Sequence, residues 1–410
     1  MKILHTSDWH LGRTLYGKKR YEESEAFLGW LAEAIQTHEV DALLVAGDVF
    51  DTTPSNRAQG LYYRFLCRVA ASSCRHVVVV AGNHDSPSFI NAPSELLKVL
   101  DIHVIGSPSD PPDNEVLVLA DPQGAPELIV CAVPYLRDRD IRSAEPGETI
   151  EDKERKLIDG IRGHYAKVAA VAEAKRAELG GGVPIVATGH LFTAGGKTVD
   201  GDGVRDLYVG SLAHVTAGIF PDNLDYLALG HLHVPQTVNG DGKIRYSGAP
   251  LPMGFGEAAQ RKRVRLVTLG RDGGEDDDQS IDVPTFQRLE RITGSWETIS
   301  SRIRELSAAG AEAWLEVVHD GDEVISDLRG CLDAAVSGTG LEVLRVKDNL
   351  IIDRVLERAY HDETLDDLDE IDVFQRCLET HAVPDAQRPD LMRAYREIVD
   401  SLHEDDSRAE

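Results

Sequence analysis

The sequence predicts a mixed α/β fold, and three observations carry that expectation. Short apolar runs of strand length, bounded by glycine, recur through the N-terminal part of the chain. Amphipathic helical patterns separate the early runs, which calls for crossover connections and parallel strands. Two segments punctuated by Gly turns read as β-hairpins, which adds antiparallel pairs.

Taken in order, the run "KIL" at Lys2 begins the first strand, and "SDWHLG" (7–12) sets an Asp, a Trp and a His at its end. The stretch 21–38 places Phe27, Leu28, Leu31 and Ile35 on one face of a helix. "ALLVAGDVFD" (42–51) is a strand that ends at Asp48, and 57–71 is a second helix. "HVVVVAGNHD" (76–85) is a strand followed by Asn83, His84 and Asp85. Residues 116–136 and 238–248 are the two hairpins. "PIVATGH" (184–190) ends at His190, and "YLALGHLH" (226–233) ends at His231 and His233. The acidic stretch "RDGGEDDDQS" (271–280) has no apolar residue and reads as a loop or domain boundary.

A smaller α/β module follows. It has a strand at 287–293 and a helix from Trp296 to Leu306, with Trp296, Ile299, Ile303 and Leu306 at helical spacing. A strand at 313–319, a helix at 322–336 and a strand at 341–346 complete it. From about residue 353 the chain is helical and acidic, with apolar stripes in Val373, Phe374, Cys377 and Leu378 and in Leu391, Tyr395, Ile398 and Leu402. The expected domains are therefore 1–280, 285–346 and 353–410.

Composition narrows the class. At 410 residues and 42% hydrophobic, the chain can bury a sizeable core in two or three domains. No apolar run approaches the ~18 residues of a membrane span, and the first residues enter a strand without a signal-peptide pattern, so a soluble cytoplasmic protein is expected. Five cysteines without a CxxC pair argue against a disulfide framework or a thiolate zinc site. The net charge of −27 argues against broad, non-specific DNA binding; any nucleic acid must be met by a local positive feature or through a partner.

Five strands thus end in metal-ligand residue types: Asp8, His10, Asp48, Asn83, His190, His231 and His233. Singly, each has a plainer reading as a helix cap, a satisfied histidine or a turn residue. Jointly, they stand where ligands gather in open α/β sheets, at the carboxyl ends of strands. The donors are all nitrogen or oxygen, which suits Mn, Fe, Zn or Mg. Seven donors exceed what one ion needs, and two ions ~3.5–4 Å apart need a shared ligand, a place that a carboxylate can fill. "LFTAGGKT" (191–198) lacks the first glycine of a P-loop and gives no ATP site. The basic clusters 12–20 and 260–265 suit either DNA backbone contacts or solvated surface charge.

The series "DWH", "GDVFD", "GNHD", "GH" and "GHLH" resembles the calcineurin-like metallophosphoesterases. The longer stretches "ILHTSDWHLGRTLYGKKRYEE", "VDALLVAGDVFDTTPS", "VVVVAGNHDS" and "VRDLYVGSL" look like the branch of that family that forms bacterial double-strand-break nuclease subunits. The resemblance implies a four-layer αββα sandwich with a small α/β capping domain and a C-terminal helical tail. It implies that Asp8, His10 and His233 hold one metal, that Asn83, His190 and His231 hold a second, and that Asp48 bridges them. It implies two divalent ions, Mn²⁺ foremost with Mg²⁺ or others possible.

His84 would be the catalytic histidine beside the leaving oxygen. Asp51, three residues after Asp48, stands where archaeal relatives carry a second histidine, and is expected to pair with His84 through its carboxylate. Asp85 is expected to stabilise its turn. The implied reaction is phosphodiester hydrolysis in DNA, as a 3′–5′ exonuclease and a hairpin- or end-opening endonuclease. The implied partners are a coiled-coil ATPase gripped by the tail, DNA ends and hairpins, and a second copy of the chain within a heterotetramer. A small-phosphoester hydrolase would need neither the module nor the tail, and a non-enzymatic scaffold would not be expected to keep the ligand set.

Overall fold

The computed structural model describes residues 1–142, 145, 147–193, 216–270, 275–321, 325 and 327–349, with isolated positions between 371 and 395. The chain forms two compact units, Met1–Glu290 and Arg291–Glu410. The first unit opens with β1 (Lys2–Thr6), β2 (Thr14–Leu15), β3 (Lys18–Lys19), α1 (Tyr21–Thr37), β4 (Ala42–Ala46), α2 (Asn56–Ala70) and β5 (His76–Val80). Next come α3 (Pro87–Asn91), α4 (Ser94–Lys98), β6 (Ile102–Ile105), β7 (Val116–Ala120), β8 (Pro126–Cys131), α5 (Asp138–Ile141) and α6 (Ile150–Glu178). It continues through β9 (Ile185–His190), β10 (Tyr226–Gly230), β11 (Gln236–Val238), β12 (Asp241–Tyr246), β13 (Arg263–Leu269) and β14 (Glu275–Asp282).

These strands make two six-stranded sheets, ordered β14-β13-β1-β4-β5-β6 and β11-β12-β10-β9-β8-β7. In the first, β1, β4, β5 and β6 are parallel and β13 and β14 are antiparallel additions. In the second, β8, β9, β10 and β12 are parallel, while β7 and β11 are antiparallel edges. The period of two sorts side chains between layers. Ile3, Leu44, Val78 and Val80 of the first sheet share a core with Val130, Val186, Tyr226 and Ala228 of the second. The alternate residues Leu4, Leu43, Val45, Val77 and Val79 pack with Phe27, Leu31, Leu61 and Phe65 of α1 and α2. On the far side, Ile129, Ile185, Ala187, Leu227 and Leu229 pack with Leu157, Ile161, Tyr165 and Val168 of α6. The result is the αββα sandwich, and burial on both faces explains why β4 and β5 read as unbroken apolar runs.

The 29-residue α6 is not singled out by the sequence reading, because charged residues fill its exposed side. Its start is nonetheless written in a capping box, with the Thr149 side chain on the Asp152 N–H and the Asp152 carboxylate on the Thr149 N–H. The acidic stretch expected to be a loop or boundary is corrected in part: β14 runs through it to Asp282 and pairs with β13. An edge strand needs no apolar sequence, since its partner supplies the hydrogen bonds, and edge charges discourage pairing with another chain. Arg263 Nε donates to Asp282 Oδ1 at 2.9 Å across this pair. Residues 271–274 lie outside the described residues.

A three-stranded sheet follows, made of β15 (Leu289–Gly294), which starts at the unit boundary, β16 (Ala313–His319) and β17 (Leu341–Asp348), with α7 (Trp296–Ala308) and α8 (Leu328–Val336). Ile299, Ile303 and Leu306 pack with Leu315, Val317, Leu332 and Val343. The expected helix at 322–336 is described only from Leu328. Of the tail stripes, Cys377, Ile398 and Leu402 lie outside the described residues, while Phe374 and Tyr395 stack with ring centroids 4.0 Å apart. Among the described residues no helix is long and apolar enough to cross a membrane.

Candidate metal centre

The loops that leave β1, β4, β5, β9 and β10 converge at one end of the sandwich. Asp8, His10, Asp48 and His231 have left-handed backbones, with φ of 55°, 45°, 52° and 97°. Such conformations cost on the order of 1 kcal/mol or more each away from glycine and concentrate at functional sites. Backbone bonds between neighbouring loops hold them: Asp8 N to Gly47 O at 3.0 Å, His10 N to Asp48 O at 3.0 Å and Leu11 N to Val49 O at 2.9 Å. Two glycines allow the side chains to approach. A Cβ on Gly47 would stand 2.2 Å from His190 Nδ1, and one on Gly82 would stand 2.1 Å from Asp48 Oδ1.

All seven predicted ligand residues are brought together. Ligand-type atoms of Asp8, His10 and His233 lie within 4.8 Å of one another, as do those of Asp8, Asp48 and His190 and those of His10, Asp48 and His84. His190 Nε2 is 3.0 Å from Asn83 Oδ1 and 3.3 Å from Asp48 Oδ2. The His231 ring packs edge-on to His190 at 5.4 Å, and its backbone N–H donates to Asp8 Oδ1 at 3.0 Å. Asp8, His10, Asp48, His190, His231 and His233 are all buried. Nε2 of His10 has no hydrogen-bond partner and lies 3.6 Å from Asp48 Oδ2, while Nδ1 faces Asp51 Oδ1 at 3.2 Å. Leaving a buried polar atom unsatisfied costs ~1–3 kcal/mol, so this centre is built for a partner that a divalent ion would supply. His190 fits the same reading, because its Nδ1 is tied to the Ala46 carbonyl at 2.9 Å and its Nε2 faces Asp48 and Asn83.

Burial and the Asp48 carboxylate act in opposite directions on the imidazoles of this centre. Burial opposes the imidazolium at His190, but the Asp48 carboxylate overrides it and raises the ring to about 9. Burial likewise opposes ionised Asp48, yet His190 and His10 hold it well below the usual carboxylate range. His10 and His231 are lowered, chiefly by burial. His233 is raised despite burial, because Glu257 and Asp8 favour its charged form.

The expected carboxylate pairing of Asp51 with His84 is replaced by another. His84 Nδ1 meets the backbone carbonyl of Asp51 at 2.7 Å, while the Asp51 carboxylate lies 3.2 Å from His10 Nδ1 and 3.0 Å from Arg13 Nη1. The fixed guanidinium and the buried imidazole draw the carboxylate to their side, and they lower it to about 2 against the effect of burial. Asp85 clamps the turn, as expected, by accepting from Gly82 N, Phe50 N and Val49 N at 2.8, 2.9 and 3.1 Å. Burial and repulsion by Asp48 raise it to about 6.

Sequence reasoning missed Glu257 and Lys262. Glu257 is fully buried, with Oε1 3.5 Å from His233 Nδ1 and Oε2 accepting from Met253 N at 3.1 Å and from Lys262 Nζ. A carboxylate behind a ligating imidazole fixes its tautomer and raises its basicity. Glu257 follows no strand motif, and the available signal was Lys262 itself, a buried lysine counted within the basic cluster 260–265. The other cluster also turns partly inward: Arg20 is buried and forks onto Glu23 at 2.7 and 2.8 Å.

Residues 1–235 match the family model described as calcineurin-like phosphoesterase, and residues 285–382 match the type 5 capsule protein repressor C-terminal domain. The chain is 35% identical over 405 residues to SbcD of the nuclease SbcCD from Escherichia coli K12, covering 98% of each chain. It is 39% identical over 276 residues to SbcD from Rhodobacter capsulatus, covering 66% of each. It is 36% identical over 271 residues to SbcD from Bacillus subtilis, covering 65% of this chain and 66% of the relative.

Proposed function

This chain belongs to the SbcD family of nuclease subunits, within the calcineurin-like phosphoesterases, and on that premise we propose how its centre cuts DNA and what it works with. The protein is a metal-dependent phosphodiesterase, the nuclease subunit of a DNA-repair complex. One observation carries the reading of the site: seven nitrogen and oxygen donors from five strand ends meet in one cluster, six of them on buried side chains and Asn83 half-buried at its edge. We assign Asp8, His10 and His233 to one ion, Asn83, His190 and His231 to a second, and Asp48 to both, with Mn²⁺ as the working metal. When bound, the ions supply positive charge against the scissile phosphate and acidify a water.

The chain's own residues do the rest. The His84 backbone N–H holds Asp48 Oδ1 at 2.9 Å, which fixes the shared carboxylate. His84 Nδ1–H donates to the Asp51 carbonyl at 2.7 Å, which orients the ring and leaves Nε2 to deliver a proton to the departing 3′ oxygen. A positioned general acid of this kind contributes ~10²–10⁴-fold.

The assignment extends to an SbcC-like coiled-coil ATPase as partner, with double-stranded ends and hairpins as substrate, in the cytoplasm. A partner that supplies DNA-binding surface reconciles the charge of −27 with this substrate. The acidic tail is the segment assigned to grip that partner; deleting residues after 350 should spare metal binding and abolish co-purification with the ATPase. Leu96, Val99 and Leu100, 72%, 81% and 44% exposed at the end of α4, favour a second copy of the chain as a further partner. The decisive assay follows cleavage of end-labelled duplex and hairpin DNA by the metal-stripped chain after adding back Mn²⁺ or Mg²⁺. Cleavage that appears with metal and vanishes in His84→Gln, with metal content unchanged, is expected. Metal-independent cleavage, or loss of metal in His84→Gln, would overturn the assignment of roles.

A further inference from the structure

We infer that Tyr16, at the tip of the β2–β3 hairpin, is a stacking residue that captures an unpaired nucleobase at the rim of the metal centre. The inference rests on the nuclease reading above and names the substrate feature that this rim selects.

The hairpin pairs Thr14 with Lys19 and Leu15 with Lys18, which leaves Tyr16 and Gly17 as a two-residue loop. Both loop residues have positive φ, 45° and 85°. That turn favours Asn, Asp or Gly, and a bulky aromatic in the left-handed region is an outlier. Leu15, 5% exposed, already anchors the hairpin in the core, whereas Tyr16 is 47% exposed. The ring is nevertheless fixed, stacked on buried Phe255 at 5.8 Å between centroids and 21° between planes. A strained backbone that holds an oriented, half-exposed aromatic suits a ligand better than it suits a core.

Position and charge identify the ligand. At the hairpin's base, Arg13 Nη1 lies 3.0 Å from Asp51 Oδ1, which is itself 3.2 Å from His10 Nδ1. At its tip, Phe255 is two residues from Glu257, whose carboxylate lies 3.5 Å from His233 Nδ1. The hairpin is thus tethered at both ends to residues that back His10 and His233, members of one donor group. Arg13, Lys18 and Lys19 flank Tyr16 along this hairpin in a chain of net charge −27, Arg13 facing Asp51 and Lys19 exposed. Cations beside an oriented ring match a phosphate next to a base. Every base has a π-face, so the contact is tolerant of sequence. Bases inside a duplex are already stacked on both sides, so only an unpaired base at an end or a hairpin apex can take this place.

The test uses the full chain loaded with Mn²⁺ and two oligonucleotides that differ only in whether the nucleotide next to the cut carries a base or is abasic. The native chain should prefer the base-bearing strand in kcat/KM by roughly tenfold, within what one aromatic–base stack contributes. Tyr16→Ala should erase that preference, and Tyr16→Phe should keep it. 2-Aminopurine at the same position reads stacking without cleavage: its fluorescence should be quenched by the native chain and by Tyr16→Phe, but not by Tyr16→Ala. A native chain indifferent to the missing base, or a Tyr16→Ala chain that keeps the native preference while slowing on both strands, overturns the inference and leaves the ring as a structural brace. A native chain that cuts neither strand overturns the nuclease reading instead, and the fluorescence still decides whether Tyr16 stacks on a base.

Discussion

The two six-stranded sheets meet the same centre with different chemistry. The first supplies the buried carboxylates Asp8 and Asp48, together with His10, Asn83 and His84; the second supplies only imidazoles, His190, His231 and His233. Their means of placement differ as well. First-sheet residues are aimed by their own backbone, through left-handed turns laced by N–H···O bonds between adjacent loops and by the Asp85 clamp. Two of the second-sheet imidazoles are aimed from outside their strands, His190 by the Ala46 carbonyl of the first sheet and His233 by Glu257. The difference teaches that the first-sheet loops place their ligands largely through their own left-handed turns, whereas His190 and His233 depend on partners outside their strands. Changes in the first sheet should therefore abolish the site, and changes behind the second should detune it.

The largest effect is expected at Asp48. Asp48→Asn removes the anion that meets both His10 and His190, so metal content should fall by more than the ~10–100-fold typical when a residue behind a ligand is lost. Elemental analysis after gel filtration reads this directly, and full occupancy in the variant would break the comparison. Glu257→Gln should be milder: metal affinity weaker by ~10–100-fold, with activity recovered at high Mn²⁺. A titration of activity against free metal checks it; a loss that metal does not restore would place Glu257 in the chemistry itself.

The smallest effect is a pH dependence of the stripped protein. His190 is raised above its unfolded value of 6.5 to about 9 by Asp48, so its contribution to stability is complete below 6.5 and is lost as pH rises through 9. The melting temperature of the chelated protein should therefore fall between those values, and the metal-loaded protein should show a smaller fall, because bound metal keeps the imidazole neutral. Equal slopes for both forms would separate His190 from the centre.

That contrast also governs what could be read in the sequence. The strand ends were legible because each couples an apolar run to a ligand type, as in "GDVFD" and "GNHD", and a sheet buried on both faces makes such runs conspicuous. The partners of those residues were not. Glu257 reaches His233 across 24 positions of sequence with no periodic signal, and the Asp51 carboxylate turns to Arg13 and His10, a choice made by tertiary charge. The β14 strand was hidden by its own composition, since pairing with β13 requires backbone groups and no apolar side chains.

We propose two ions at the strand ends where loops of both sheets meet, with Asp48 shared. Anomalous diffraction at the manganese edge, from crystals of the full chain grown with Mn²⁺, measures it most directly. The account predicts two peaks ~3.5–4 Å apart, one beside Asp8, His10 and His233, the other beside Asn83, His190 and His231, with an Asp48 oxygen between them. A single peak at saturating metal, or two peaks neither of which touches Asp48, would contradict it.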